Sequence, residues 1–143
     1  DEAGRLLPAL GVDVAHEVLG RQGVGPAGFS AARHFGVTTQ VPAKLQLSTI
    51  FPVPQGAIAG VHVHKRNNAA RIDLNETEIA LLEVLRDPDV LAETGWDAFE
   101  RVAVAALRRG DIRMPALERA VPGEGPVATR KNFDRLRPAL VAA

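Results

Sequence analysis

Two histidines stand out among the residues of this 143-residue chain whose types and spacing could do chemistry. His62 and His64 lie two positions apart in the alternating stretch VHVHKR, so on a β-strand both rings would point to the same face. Two imidazoles on one face are a possible metal pair. No Asp or Glu lies near them in the sequence, and a polar strand face opposite Val61 and Val63 accounts for the same residues. We therefore expect no metal site and no cofactor.

A basic and amide cluster, Lys65-Arg66-Asn67-Asn68, directly follows His64. Guanidinium and ammonium groups bind phosphate or an acidic protein surface, whereas a pair of asparagines is also typical of a turn. The sequence leaves both interpretations open. Under the first, the candidate partner-binding residues of this region are His62, His64, Lys65, Arg66 and Asn67.

Patterns typical of enzymes are not recognisable in the sequence. Ser30, His16 and His34 could be imagined as parts of a hydrolase triad, but nothing resembles G-x-S-x-G. The stretch GVGPAG (residues 23–28) spells G-x-G-x-x-G. Without a preceding predicted strand, and with a proline inside it, this stretch fails the dinucleotide-binding pattern. We expect a binding module that is not an enzyme and has no catalytic residues.

The composition narrows the class of protein. The chain has no cysteine, which excludes disulfides and thiolate metal sites and fits a reducing cytoplasm. No apolar run approaches the roughly 20 residues that span a bilayer. Its length suits one domain with one core. We therefore expect a single cytoplasmic domain that covers residues 1–143 and does not enter a membrane.

Charge is unevenly distributed although the net charge is zero. Residues 1–72 carry +3, residues 73–100 carry −8, and residues 101–143 carry +5. A zero total argues against bulk electrostatic binding of nucleic acid. The basic C-terminal third keeps a local nucleic-acid-binding face open.

The spacing of apolar residues predicts helices on both sides of a group of strands. Alternation predicts strands in PAKLQLSTIF and VHVHKR and a third from Ala69 to Leu74, with PVPQGAIAG as a hairpin-like connection. A helix is predicted in GPAGFSAARHFG, with Pro26 at its first position. Further helices are predicted in four segments: DVAHEVLG, the segment that Asn75 and Glu78 open with a capping box, GWDAFERVAVAALRRG, and Met114 to Val121. A last helix is predicted from Asn132 to Leu140. This order predicts an α+β fold with short N-terminal helices, a small antiparallel sheet of two to four strands and a C-terminal cluster of helices.

The stretch GVTTQVPAK (residues 36–44), which we call the corner segment, joins a predicted helix to a predicted strand. Gly36 ends the helix, and Pro42 restricts the residue before it to an extended conformation. The two threonines can bond to nearby backbone. These features are sufficient for a turn. An exposed Gln40 beside Lys44 would leave a binding role open, whereas a buried Gln40 would limit the segment to a turn.

The sequence GPAGFSAARHFGVTTQVPAK, residues 25–44, resembles the C-terminal region of AbiEi-type antitoxins of bacterial type IV toxin–antitoxin systems. The similarity lies in the glycine-led helix with its Ala-Ala pair, in the TTQVP turn, and in the strands and basic stretch that follow. It continues into the helix rich in Ala, Leu and Glu that includes residues 78–86, and it extends over roughly residues 4–110.

The resemblance implies that the chain is the C-terminal part of a longer protein. In that family an N-terminal winged helix, absent here, binds the operon's own promoter, so the full-length protein would be a transcriptional autoregulator. The C-terminal part counteracts a nucleotidyltransferase-like toxin, either by contact or by opposing the toxin's effect on its target. The expected partner is thus the cognate toxin or its cellular target. Arg33, Gln40 and Lys44 complete the candidate partner-binding residues.

A nucleic-acid-binding module is the alternative. Two successive predicted helices of the basic C-terminal region resemble a helix–turn–helix, namely Asp97–Arg109 and Met114–Val121. Against this alternative, Asp111 and Pro115 lie in or beside the connection, and Glu118 accompanies Arg119 in the candidate recognition helix.

Overall fold

The computed structural model of the chain describes residues 13–53 and 58–143. Its first helix, α1, covers residues 13–19. The elements that follow are β1 (Gly25–Pro26), α2 (Gly28–His34), β2 (Leu45–Thr49), β3 (Val61–Lys65), a 3-10 helix (Ala69–Asp73), α3 (Glu76–Val84), α4 (Pro88–Leu91), α5 (Trp96–Arg109), α6 (Met114–Ala120), a second 3-10 helix (Val121–Gly123) and α7 (Val127–Ala142). The α+β class predicted from the sequence is confirmed.

The described strands form one sheet in the order β1-β2-β3. Strand β1 is antiparallel to β2, with Gly25 opposite Ser48, but β2 and β3 are parallel, with Leu45 opposite Val61. The prediction of an entirely antiparallel sheet with a hairpin-like connection was therefore wrong for this pair. Alternation fixes which side chains share a face and does not fix the direction of a strand. Part of the connection, residues 54–57, lies outside the described residues.

The predicted third strand, Ala69 to Leu74, was also wrong, because residues 69–73 form a 3-10 helix. The side chain of Asn68 accepts a hydrogen bond from the backbone N–H of Ala70 at 3.2 Å and so starts the turn. A three-residue period then places Arg71 and Leu74 inside, 0% and 5% exposed, and leaves Ile72 38% exposed. The alternating pattern had placed Arg71 on the polar face.

Two helices have other bounds than predicted. Pro26 lies in β1 opposite Leu47, so α2 starts at Gly28. The backbone at Gly25 lies so close to α3 that an added Cβ would be 2.7 Å from the Cβ of Ile79. Helix α7 is longer than Asn132–Leu140 and contains Pro138 in its interior. Burial of one face against the core stabilises this helix despite the lost backbone hydrogen bond.

The local signals at other helix ends are confirmed. Asn75 and Glu78 form the complete capping box at the start of α3. Gly36 and Gly110 follow α2 and α5 with φ of +69° and +83°, a left-handed conformation that favours glycine. None of the helices in the described residues is both long and apolar enough to cross a membrane.

Helix α3 lies at the centre of the main core. Its segment Ile79–Leu82 is 0% exposed, as are Val84 and Leu85, so the helix is buried on all sides and not along one stripe. Phe99 of α5, Leu117 of α6 and Leu136 of α7 belong to the same cluster. A smaller cluster joins α1 to the sheet through Ala15, Leu47 and Val61. Because α3 is enclosed, its two carboxylates, Glu78 and Glu83, are buried as well.

Candidate functional site

The candidate residues lie at opposite ends of the parallel strand pair. The corner segment enters β2 at Leu45, whereas the basic cluster follows β3 at Lys65. Leu45 pairs with Val61 and Thr49 pairs with Lys65, so the two regions are separated by the length of the strands, about 13 Å at 3.3 Å per residue. The fold therefore gives the chain two candidate surfaces, and they are described in turn.

A buried ion network lies behind the basic cluster. The Nε and Nη2 atoms of Arg66 donate to the two carboxylate oxygens of Glu83 at 3.0 and 2.9 Å. Arg71, which is 0% exposed, pairs with Glu83 from the other side, with 2.9 Å between Nη1 and Oε2. Glu83 on α3 thus holds both arginines and fixes where the chain leaves β3.

Arg71 also binds a second carboxylate, that of Glu124. Its Nε donates to Oε2 at 2.9 Å and its Nη2 to Oε1 at 2.6 Å. The Nδ2 of Asn68 donates to Glu124 at 2.6 Å and to the carbonyl of Ala120 at 2.9 Å. Asn68 itself has an extended backbone, and its side chain caps the 3-10 helix and joins it to the residues before α7.

The network sets the protonation of Glu83. Burial by itself would raise the pKa of this carboxyl, but the hydrogen bonds and charges of Arg66 and Arg71 outweigh burial and hold the pKa below its ordinary value of 4.5. Burial likewise acts to lower the pKa of Arg71, and its bonds to Glu124 and Glu83 raise it overall. Both groups therefore stay charged at neutral pH inside the protein.

We predict that acid weakens the fold through Glu83. Because the pKa of Glu83 is lower in the folded than in the unfolded chain, its stabilisation is complete above about pH 4.5 and is lost as the pH falls through the folded-state value. Urea unfolding between pH 7 and pH 3 should show a decline in the free energy of unfolding that is shallower in Glu83→Gln. The control Glu118→Gln, in an exposed pair with Arg137, should keep the decline of the unmodified protein. An equal decline in Glu83→Gln would contradict the assignment.

A cleft of about 200 Å³ opens in front of this network. Its walls are Lys65, Arg66, Asn67, Asn68, Arg86, Glu124, Gly125 and Pro126. Lys65 is exposed and its Nζ donates to the Oδ1 of Asn67 at 2.7 Å. Arg66, by contrast, is committed to Glu83 and its side chain is only 19% exposed. The structure thus brings Lys65, Arg66 and Asn67 together at one cleft.

Arg86 is the residue of the cleft that sequence reasoning missed. It follows α3 and is partly buried. Burial and the neighbouring charge of Arg66 lower the pKa of its guanidinium below the ordinary value. Within residues 13–53 and 58–143 no side chain forms an ion pair or hydrogen bond with it. A signal was present in the sequence, since Arg86 is the one basic residue in the acidic stretch 73–100.

The two histidines lie on one face of β3, as the spacing predicted. Their rings stack with centroids 4.3 Å apart. His62 is exposed and His64 is partly buried, and burial, followed by the charge of Arg66, lowers the pKa of His64 below 6.5. Across the described part of the chain, no group of three or more His, Asp or Glu could hold a metal ion.

The corner segment exposes the side chains that the turn itself does not use. Thr38 accepts a hydrogen bond from the backbone N–H of Gln40 at 3.1 Å. The hydroxyl of Thr39 donates to the carboxylate of Glu93 at 3.0 and 3.1 Å. Gln40 and Lys44 are exposed, and the apolar side chain of Val41 is 73% exposed. The condition that leaves a binding role open for this segment is therefore met. Arg33 is exposed near the end of α2.

The imagined hydrolase triad does not assemble. The Oγ of Ser30 accepts a hydrogen bond from the backbone N–H of Gln46 at 2.9 Å. The Nε2 of His34 is 2.8 Å from the Oγ1 of Thr77. Among the hydrogen bonds of the described residues, none joins Ser30, His16 and His34 to one another.

Ion pairs occupy several arginines of the α5–α6 region. Arg113 donates from Nε and Nη2 to Glu78 at 2.9 and 2.8 Å. Arg109 pairs with Asp111 at 2.9 Å, and Arg137 of α7 pairs with Glu118 at 2.9 Å. These carboxylates leave less free positive charge for DNA phosphates. A nucleic-acid-binding role for this helix pair stays a prediction that these contacts do not favour.

Comparison with known proteins gives little similarity. No protein-family model matches the chain, and no match is found among curated proteins. Among solved structures, the RV2827C protein from Mycobacterium tuberculosis aligns with a TM-score of 0.41 and 18% sequence identity. The alignment covers 84% of this chain and 52% of that protein, so the chain spans about half of that protein's length.

Proposed function

We propose that this chain is a non-catalytic binding domain, the effector domain of an AbiEi-type antitoxin that counteracts a nucleotidyltransferase-like toxin. The proposal includes transcriptional autoregulation as a function of a longer protein, through the N-terminal winged helix that the resemblance implies. The observation that carries the proposal is the corner segment, because it bears the most specific part of the family resemblance and also presents side chains to solvent.

In the corner segment, different residues form the turn and face the solvent, and this separation supports a contact role. The turn depends on Gly36 at the helix end, on Thr38 as a backbone hydrogen-bond acceptor, and on the restriction that Pro42 imposes. Val41 contributes little burial to the fold, being 73% exposed. Val41 directly follows Gln40 and lies three positions before Lys44. An exposed apolar side chain with polar residues near it in the chain is suited to the centre of a small protein interface, where apolar groups are ringed by polar ones.

We predict that the chain relieves the growth arrest caused by the nucleotidyltransferase-like toxin encoded next to it, and that Val41→Asp impairs this relief. A buried charge at the centre of an interface should weaken binding by about 30-fold or more. The measurement is growth after toxin induction, with the chain or its variants co-expressed from a second promoter. The matched control is Val141→Asp, because Val141 is 59% exposed at the far end of α7.

Two results would contradict this proposal in different ways. If Val41→Asp relieved the arrest as well as the unmodified chain, the corner segment would not be the contact surface. If the chain gave no relief while the longer protein did, antitoxin activity would not reside in this domain. Equal soluble levels of the two variants, checked by immunoblot, would exclude loss of folding as the cause.

A further inference from the structure

We propose that the cleft at the carboxyl ends of β2 and β3 is a binding site for a phosphate group. Its walls carry Lys65, Arg66 and Arg86. Guanidinium and ammonium groups that converge on one small cleft are the donors that proteins use for phosphate. The proposal does not rest on the antitoxin function, since the corner segment lies at the other end of the strands.

The charges at the cleft do not cancel. Glu83 and Glu124 are 1% and 3% exposed, and their oxygens are bound by Arg66, Arg71 and Asn68. Two carboxylates therefore balance the two arginines of the network. Lys65 and Arg86 remain as positive charge at the cleft, because the carboxylate that lines it, that of Glu124, is already bound by Arg71 and Asn68.

The position of Arg86 favours a small anion. A partly buried guanidinium beside another guanidinium is unfavourable, because desolvation and like charge both oppose the charged form. An anion in the cleft would offset both penalties, since its charge would attract Arg86 and counteract the repulsion from Arg66. A volume of about 200 Å³ accommodates a compact group that accepts hydrogen bonds from several directions, as the oxygens of a phosphate do.

The start of α7 adds to the positive potential. Gly125 and Pro126 line the cleft and directly precede this 16-residue helix. Its first turn has no acidic residue and its N-cap makes no side-chain hydrogen bond. Arg130 donates to the carbonyl oxygens of Glu124 and Gly125, so these acceptors are already hydrogen-bonded. The helix dipole then acts in the same direction as the cations.

The test is a titration of the whole chain with inorganic phosphate and with AMP at low ionic strength, by isothermal calorimetry and phosphorus NMR. We expect a dissociation constant of about 1 mM or tighter, weakened by added salt. Arg86→Gln and Lys65→Gln should each weaken binding by about tenfold. The control Arg101→Gln removes an exposed cation from α5 and should leave binding unchanged.

Two probes distinguish the sources of the phosphate. Tighter, Arg86-dependent binding of AMP would support a nucleotide as the natural ligand, and equal binding of both would support free phosphate. The absence of phosphate binding at low salt would overturn the proposal, as would an equal loss in Arg86→Gln and Arg101→Gln. Thermal melts of each variant would confirm that the fold is intact, and Lys65→Gln, at an exposed position, keeps the test valid if Arg86→Gln unfolds.

Discussion

Replacing Arg71 with alanine is expected to lower the free energy of unfolding by about 3–5 kcal/mol, because it leaves two buried carboxylates without their shared cation. Glu83 would keep Arg66, but Glu124 would retain only Asn68 as a side-chain partner. For a chain of this size the loss corresponds to a fall in the melting temperature of roughly 10 °C or more. Thermal and urea unfolding at pH 7 measure it.

A matched exposed ion pair provides the control for Arg71. Arg137 also pairs with a glutamate, but the side chains of Arg137 and Glu118 are 51% and 43% exposed. Exposed pairs contribute about 0–1 kcal/mol, so Arg137→Ala should change little. Arg71→Met separates charge from volume, since it fills similar space without the cation. Retention of most of the stability in Arg71→Met would show that packing, and not pairing, makes Arg71 important.

Local signals predicted the parts of the fold that depend on neighbours in sequence. The capping box joins Asn75 to Glu78, three positions away, and both of its hydrogen bonds form at 2.8 Å. The glycines after α2 and α5 mark their ends for a similarly local reason. Such interactions require no knowledge of the remainder of the chain, so the sequence was sufficient to find them.

Pairing over long distances in sequence was not predictable in this way. The direction of β3 relative to β2 depends on the connection between them, whose prolines and glycines favoured a hairpin although the strands are parallel. Arg71 lies in an alternating stretch that favours a strand, but its partner Glu124 is 53 positions away. Burial of that pair stabilises the 3-10 helix over a strand. Tertiary contact decided the conformation against the local pattern.

The candidate cleft shows the same division. Lys65, Arg66 and Asn67 could be grouped from the sequence, because they are consecutive in the chain. The sequence did not identify Arg86, which the fold brings from the end of α3. Nor could the sequence show that Arg66 is held by Glu83, whereas Arg86 has no ion-pair or hydrogen-bond partner for its side chain among the described residues. Which cations are available to a ligand depends on which carboxylates the fold places beside them.

Replacing Phe99 with alanine should lower the free energy of unfolding by about 3–5 kcal/mol, since it opens a cavity in the main core. Phe99 is 0% exposed. Its ring centroid lies 5.7 Å from that of Phe35, in an edge-on arrangement, and 5.8 Å from that of Trp96, in a tilted one. Phe35 directly precedes the corner segment. The effect should therefore extend to that segment as faster hydrogen exchange of the N–H of Val37, which bonds to Ala32.

The control for Phe99 makes the same chemical change on the surface. Phe51 is 42% exposed, so Phe51→Ala should change the free energy of unfolding by less than about 1 kcal/mol and leave exchange at Val37 unaltered. Equal effects of the two variants would contradict the central position of Phe99 in the core. Faster exchange at Val37 in Phe99→Ala alone would show that the exposed residues of the corner segment are positioned by packing from α5, far along the chain from the TTQVP sequence itself.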